Sequence, residues 1–243
     1  MSQIITTTTA LAPIKSKLAL NIPTVERLLP TFELGDFAVL HGSSAISYLT
    51  LMLCVTAQLP IPLGGLASKV VFVDGGNRFR LYQISKLAQL HSLNPTQVLK
   101  HISIARAFTA FQMTSLIRDK LAETAQTTEA KLVIVSDIAG LFLDEEIADE
   151  EAQTIYNKTV AYLSTLAKQK QLIIVATYLP HDQTKRNATL QTSTNLNAGI
   201  SAAIRVSKYH RYFVLEKHPH YVLGSAEFPR AYPTLPEFFG GTD

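Results

Sequence analysis

Residues 32–54 read FELGDFAVLHGSSAISYLTLMLC, a short apolar strand followed by a small polar turn and an apolar helix. This order is the frame of a phosphate-binding loop, in which glycine N–H groups bind phosphates, a lysine reaches the β- and γ-phosphates and a Ser or Thr hydroxyl binds magnesium. Gly42 stands at the first glycine of the pattern G-x-x-x-x-G-K-[ST], but Ser47, Tyr48 and Leu49 stand where Gly, Lys and Ser/Thr belong. The sequence therefore predicts a nucleotide-binding frame without its chemical side chains.

Composition predicts one globular domain without a metal centre. The chain has 243 residues, 47% of them hydrophobic, which is enough for one α/β domain with a large core. A net charge of +3 is too small to indicate nucleic-acid binding by itself. Cys54 is the single cysteine, so neither a disulfide framework nor a thiolate metal site is expected. With no signal-peptide pattern and no membrane-length apolar run, we expect a cytoplasmic protein, or a nuclear or nucleoid-associated one.

The order of apolar segments predicts the architecture. The runs KVVFVD, KLVIVSD and QLIIVATY at residues 69–74, 131–137 and 171–178 are continuously apolar, as strands buried on both faces are. Segments with helical spacing lie between them, which favours a mostly parallel sheet flanked by helices. We divide the chain into a Thr-rich N-terminal arm, residues 1–21, and a single core domain, residues 22–243.

Other segments carry weaker signals. The sequence predicts a short helix at residues 24–29 and one helix at residues 109–126 with Phe111 facing inward. Residues 179–199 are polar and are predicted to be a mobile loop. Antiparallel strands are predicted at residues 202–207, 212–217 and 221–224.

Three strings along the chain are more specific than a general α/β pattern. They are QLP with GG and KVVFVD at residues 58–74, FR with LAQLHSLNPTQVLKHI at residues 79–102, and SIARAF at residues 103–108. Together they resemble the ATPase core of the RecA/RadA superfamily, specifically the archaeal and eukaryotic strand-exchange recombinases and their paralogs. The resemblance covers residues 24–224. It implies a RecA-like core with a mostly parallel central sheet and an antiparallel C-terminal edge.

The resemblance also implies that the ATPase site is degenerate. Tyr48 replaces the Walker A lysine, Gly76 stands at the catalytic glutamate, and Tyr178 stands at the polar sensor. Ser136 stands at the Walker B aspartate with Asp137 one residue later, and because a one-residue slip reverses the face of a strand, the direction of Asp137 stays open. We therefore expect a pseudo-ATPase without catalytic residues and without an ATP or magnesium cofactor. A pocket that binds nucleotide through its backbone alone is the alternative.

Two loops that bind DNA in active relatives have changed character. The first reads FLDEEIADEEAQ, and its carboxylates, which include Asp144, Glu145 and Glu146, would repel a phosphate backbone. This acidic run is either a face for a basic partner or solvated surface. In the second loop Lys185 and Arg186 are candidate phosphate contacts, although a basic pair in a polar loop is usually solvated. Contact with DNA is therefore expected to be weak or indirect.

The N-terminal arm is a candidate interface strand. Family filaments form when a motif F-x-x-A adds a strand to the sheet edge of a neighbour. The arm has Ile4 and Ile5 followed by β-branched threonines, which suit an added strand, but it has no phenylalanine. A disordered arm is the other interpretation.

We expect a non-catalytic recombinase paralog that acts as an accessory or regulatory factor in homologous recombination and DNA repair. Its partner would be a RecA/RadA-family recombinase or another paralog. One alternative is a self-assembling structural protein, a homo-oligomer built through the RecA-like interface. A second alternative is an atypical nucleotide-binding switch.

Overall fold

A computed structural model describes residues 16–208 and 210–228 of the chain. Its strands are β1 (Lys17–Ala19), β2 (Thr31–Glu33), β3 (Phe37–Gly42), β4 (Lys69–Asp74), β5 (Ile102–Arg106), β6 (Ala130–Ser136), β7 (Ile173–Tyr178), β8 (Ile200–Val206), β9 (Arg211–Lys217) and β10 (Gly224–Phe228). Its helices are α1 (Ile46–Thr56), α2 (Leu81–Leu90), α3 (Pro95–Lys100), α4 (Ala110–Ser115), α5 (Leu121–Thr128), α6 (Asp149–Lys170) and α7 (Lys185–Asn197). No helix within these residues is long and apolar enough to cross a membrane.

Strands β3 to β10 form one sheet across the described residues, in the order β10-β9-β8-β3-β7-β6-β4-β5. The six strands from β8 to β5 in this order run parallel. Strands β9 and β10 are added antiparallel beyond β8. The predicted α/β class, with a mostly parallel central sheet, flanking helices and an antiparallel C-terminal edge, is confirmed.

The sheet separates two hydrophobic clusters, which explains the continuously apolar strands. In β4, Val70 and Phe72 belong to the cluster that packs under α1 and α2. Val71 and Val73 point to the opposite face and join the cluster under α5 and α6. Because successive strand residues alternate between faces, a strand covered on both sides must be apolar at every position.

The helix predicted at residues 24–29 is wrong. Hydrogen bonds from Val25 and Glu26 to the Ile22 carbonyl, and from Leu28 and Leu29 to the Val25 carbonyl, form successive turns instead. The Ile22 and Val25 carbonyls each accept two N–H groups, so the bonds do not continue as the regular i to i−4 series of an α-helix.

The helix predicted at residues 109–126 is interrupted. A π-helical turn, Leu116–Lys120, separates α4 from α5. The expectation that Phe111 faces inward is wrong, because 52% of its surface is exposed. Ala110 and Met113 are buried in its place, whereas Ile117 and Leu121 face inward as predicted.

Three expectations for the C-terminal half are corrected. Residues 179–199 are not a loop throughout, because α7 occupies most of them; its buried positions Asn187, Leu190 and Thr194 repeat at helical spacing. The strand predicted at residues 202–207 is β8, which is antiparallel to β9 but parallel to β3. The last predicted strand lies too early, since β10 begins at Gly224.

Candidate functional site

The carboxyl ends of the parallel strands lie side by side and bring the predicted site residues together. Gly42 ends β3, Asp74 ends β4, Ser136 ends β6 and Tyr178 ends β7. These strands are neighbours in the sheet. We call this region the carboxyl edge. In open α/β sheets ligands bind in the crevice outside the carboxyl ends of the strands.

The turn between β3 and α1, residues 43–45, is closed by its own hydrogen bonds. The N–H groups that a phosphate-binding loop would direct at its ligand are used within the chain. They are Ser43 to the Ile204 carbonyl (2.8 Å), Ala45 to Ser43 Oγ (3.3 Å), Ile46 to the Ser43 carbonyl (3.1 Å), Ser47 to the Ser44 carbonyl (3.1 Å) and Tyr48 to the Ala45 carbonyl (3.1 Å). Helix α1 thus begins directly after a tight turn, and these donors are not directed at a ligand.

The residues at the predicted Walker A positions pack into the hydrophobic core instead of facing the carboxyl edge. Tyr48 is half-buried and packs against the cluster under α1. Leu49 is buried, and the Ser47 hydroxyl is buried without a hydrogen-bond partner among the described residues. Gly42 has a φ of 97° and lies so close to β8 that a Cβ atom would be 2.5 Å from the Ile204 carbonyl oxygen.

Asp74 is fully buried, and the chain itself supplies its partners. Its carboxylate accepts the backbone N–H groups of Arg78 at 2.8 Å and Phe79 at 3.3 Å. The Arg106 guanidinium at the end of β5 donates to Asp74 Oδ2 at 3.1 Å. Asp74 therefore ties the end of the β4–α2 connection to the neighbouring strand β5.

The sequence left the direction of the Asp137 side chain open, and in the structure it points into the carboxyl edge. Its φ of 51° turns the backbone out of β6 directly after the buried Ser136. The Asp137 N–H donates to Thr177 Oγ1 at 2.8 Å, and Oδ1 lies 2.8 Å from His181 Nε2. The hydrogen bond with Asp137 raises the pKa of His181, against the opposing effect of burial.

The pose of Asp137 leaves no room for a side chain at Gly76. A Cβ atom on Gly76 would lie 2.8 Å from Asp137 Cβ and 3.2 Å from Oδ2. A side chain at Gly140 is excluded for the same reason, since an added Cβ atom would lie 2.6 Å from Asp137 Oδ2. The glycine at the glutamate position and the inward aspartate are therefore sterically coupled.

Tyr178 closes the edge on the α7 side. Its ring is buried, and its hydroxyl donates to the carbonyl oxygen of Asn187 at 2.9 Å and contacts Asn187 Oδ1. Burial raises the pKa of Tyr178. At the sensor position the chain thus has a side chain that holds α7 rather than one that faces the crevice.

A family model described as Rad51 matches residues 34–204 of the chain. That match spans the strand–turn–helix unit and the whole carboxyl edge. The chain belongs to the Rad51 family.

Several recombination proteins are similar to this Rad51-family chain. The DNA repair and recombination protein RadA of Cenarchaeum symbiosum (strain A) is 29% identical over 144 residues, which cover 59% of this chain and 35% of the relative. Meiotic recombination protein DMC1 of Saccharomyces cerevisiae (strain ATCC 204508 / S288c) is 29% identical over 127 residues, 52% of this chain and 38% of the relative. Meiotic recombination protein DMC1 homolog A of Oryza sativa subsp. japonica is 30% identical over 155 residues, 64% and 43% of the two chains. The matches span less than half the length of each relative.

The two candidate DNA loops of this Rad51-family chain are fastened to each other. The Arg186 guanidinium at the start of α7 donates to the carbonyls of Asp144 at 2.9 Å and Ile147 at 2.7 Å, and it pairs with the Asp149 carboxylate at 3.4 Å. Only 10% of the Arg186 side chain is exposed. Lys185, next to it, is exposed.

The acidic run lies on the surface around this contact. Asp144, Glu145 and Glu146 are exposed. Asp144 Oδ1 accepts the Glu146 N–H at 3.0 Å, which shapes the turn before α6. Across the described residues no group of three or more His, Cys, Asp or Glu side chains is placed to hold a metal ion.

Strand β5 is an edge strand of the Rad51-family core, at the end of the sheet opposite to β10. Its outer side has no partner strand among the described residues. A small apolar pocket opens beside it, which we call the edge pocket. It is lined mainly by Val71, Val73, Ala105, Leu116 and Leu121. The candidate interface residues Ile4 and Ile5 lie outside the described residues.

Sequence reasoning missed the partners that complete the carboxyl edge. Three residues at the strand ends were not predicted as site residues. Arg106 and His181 each contact a carboxylate, and the Thr177 hydroxyl accepts the backbone N–H of Asp137. A histidine shortly after an apolar strand gives no signal by itself, because its partner lies far away in the chain. The strand order alone brings the two together.

Proposed function

We propose that this chain is a non-catalytic member of the Rad51 family that acts as an accessory or regulatory factor in homologous recombination and DNA repair. The relatives named above are recombination proteins by name, and the family match covers the core that they share with this chain. The proposal rests chiefly on the closed turn at residues 43–45. A protein that keeps the fold but has a closed phosphate turn would act by binding other proteins rather than by hydrolysing ATP.

The residues of the carboxyl edge fit a magnesium-bound nucleotide poorly. Phosphate binding needs free N–H groups and a positive charge, whereas the turn donates internally and Tyr48 packs against the core. Hydrolysis needs a general base, and Gly76 has no side chain to provide one. The Asp137 carboxylate already contacts His181. Each feature supports a pseudo-ATPase.

Direct DNA binding by this chain is proposed to be weak. Arg186, one of two basic candidates, is buried against the acidic run. The exposed carboxylates around it disfavour a phosphate backbone, since DNA binding depends on neutralising phosphates with basic side chains. Fluorescence anisotropy with single-stranded DNA tests this: tight, salt-sensitive binding by the purified chain would contradict it.

The edge pocket beside β5 is the proposed docking site for a recombinase-family partner. An open strand edge next to an apolar pocket suits β-augmentation, in which main-chain hydrogen bonds give affinity and a side-chain pocket gives specificity. The exposed Ile104 on the same strand adds apolar surface, with 47% of its area accessible. A partner that extends an apolar strand would cover both.

Co-purification with the recombinase from the same organism tests this site. Ala105→Glu fills the edge pocket with a longer, charged side chain and should weaken binding at least about tenfold. Burial of that charge under an apolar partner is costly even beside Lys120, which also lines the pocket. Ser225→Glu puts the same side chain on β10, at the opposite edge of the sheet, and should leave binding unchanged. If wild-type protein binds no member of the recombinase family, the proposed function is wrong.

Self-assembly is the second candidate, because the same open edge can accept a strand from another copy of this chain. The molar mass from light scattering after size exclusion distinguishes self-assembly from the accessory role. A large homo-oligomer that Ala105→Glu dissociates, together with no recombinase binding, would favour a structural assembly.

A further inference from the structure

Both carboxylates at the carboxyl edge are occupied by groups of the same chain. Asp74 has Arg106 and two backbone donors. Asp137 has His181 on Oδ1, and its side chain is only 8% exposed. Buried carboxylates must find hydrogen-bond donors or cations, and here the protein provides them itself.

The contacts of Asp137 fix it from several sides. Its backbone N–H is held by Thr177 of β7, and its Oδ2 faces the bare backbones of Gly76 and Gly140. The remaining oxygen is directed at the His181 ring. A side chain of the chain itself thus binds Oδ1, the oxygen that does not face the two glycines.

His181 lies on the connection between β7 and α7, residues 179–184. Its ring packs edge-on against Tyr178, with centroids 6.1 Å apart. Further along, the Asn187 side chain donates to the Asp182 carbonyl at 2.8 Å. The connection is therefore joined to β6 through His181 and to α7 through Asn187.

We propose that His181 is an internal substitute for a metal ion at Asp137, and that this contact latches the β7–α7 connection onto the end of β6. The carboxyl edge is then a fixed protein surface instead of a site that a metal-bound nucleotide opens and closes. The inference rests on the proposed function only in treating the edge as non-catalytic. It assigns a positioning role to a residue outside the predicted site.

Hydrogen exchange of the full-length protein, followed by mass spectrometry, tests the latch. His181→Ala should speed exchange of the hydrogen-bonded amides within residues 184–188, where the connection enters α7, by about tenfold or more. The reason is that a hydrogen bond to a charged group contributes about 1.5–3 kcal/mol and 1.4 kcal/mol is a factor of ten. His181→Gln keeps a donor near the Nε2 position and should restore most of the protection. His210→Ala, which removes an exposed histidine paired with Glu227 at the other end of the sheet, is the matched control.

Millimolar magnesium provides the second readout. The latch predicts that magnesium leaves exchange of the hydrogen-bonded amides within residues 184–188 of the wild type unchanged, since His181 already occupies Asp137. Two results would overturn the inference: unchanged exchange in His181→Ala, or faster exchange in the wild type when magnesium displaces His181. Either could occur while recombinase binding at the edge pocket persists, so the failure of this inference is distinguishable from that of the proposed function.

Discussion

A glutamate at position 76 should destabilise the protein and should not produce ATPase activity. In Gly76→Glu the new Cβ would lie 2.8 Å from Asp137 Cβ, 3.2 Å from Asp137 Oδ2 and 3.3 Å from Arg78 Cγ. Asp137 cannot simply turn away, because its N–H is bonded to Thr177 and its carboxylate to His181. The added carboxylate would also lie beside the existing one.

The magnitude follows from overpacking. Extra atoms in a well-packed region cost about 1–3 kcal/mol. For a chain of this size each 1 kcal/mol lowers the Tm by about 2–4 °C, so we expect a decrease of about 2–12 °C. ATP hydrolysis should stay at background, because the turn at residues 43–45 is still closed.

Thermal melting by circular dichroism and a phosphate-release assay measure the two outcomes. Gly199→Glu is the matched control, because the nearest heavy atom to its Cβ is the Phe37 carbonyl oxygen at an ordinary 3.7 Å; its Tm should be close to that of the wild type. An unchanged Tm for Gly76→Glu together with new ATPase activity would refute the steric coupling of Gly76 and Asp137.

Three further predictions concern individual contacts. Arg186→Ala should lower the free energy of unfolding by about 1.5–3 kcal/mol in urea denaturation, since it strands the Asp144 and Ile147 carbonyls, whereas Lys185→Ala should be neutral; equal effects would contradict the role of Arg186. Because its hydrogen bond with Asp137 raises the pKa of His181 above 6.5, the stabilisation is complete below that pH and is lost as pH rises through the raised value. The urea midpoint of the wild type relative to His181→Gln should therefore fall towards alkaline pH, and a constant difference would count against the pair. Gly42→Ala should destabilise by about 1–3 kcal/mol through its positive φ and the Ile204 carbonyl, and an unchanged urea midpoint would show that β3 and β8 can separate.

The buried strands were predictable because their physical signal is local. KVVFVD and QLIIVATY each hold an uninterrupted apolar run, VVFV and LIIVA, and a strand covered on both faces produces that pattern. The helices between them followed from spacing. The mostly parallel sheet was therefore predictable from the sequence, whereas the order of its strands came from the structure.

Helix α7 was missed because its stabilisation is tertiary. The segment KRNATLQTSTNLN is rich in Thr and Asn, which are weak helix formers, and it has no apolar stripe. It folds because Thr184 caps it, Tyr178 binds Asn187, and Thr194 contacts the Tyr156 hydroxyl on α6. Of these partners only the cap, Thr184, is visible next to the segment, and it gives no signal without an apolar stripe after it.

The candidate site was predictable by position but not by geometry. The sequence located Gly42, Gly76, Asp137 and Tyr178 at strand ends, where parallel strands bring residues together. It could not give the left-handed turn at Asp137, which directs the carboxylate to His181. A backbone conformation that one residue adopts for the sake of distant partners leaves no pattern in the chain.

Thermal melting of the wild-type protein with and without Mg-ATP tests the central claim most directly. A closed turn at residues 43–45 predicts no change in Tm at any nucleotide concentration. A ligand at about 100 times its Kd would add about 2.7 kcal/mol, and that would raise the Tm by about 5–11 °C for a chain of this size. Such an increase, saturating with Mg-ATP, would contradict the account and show that the turn opens to bind nucleotide.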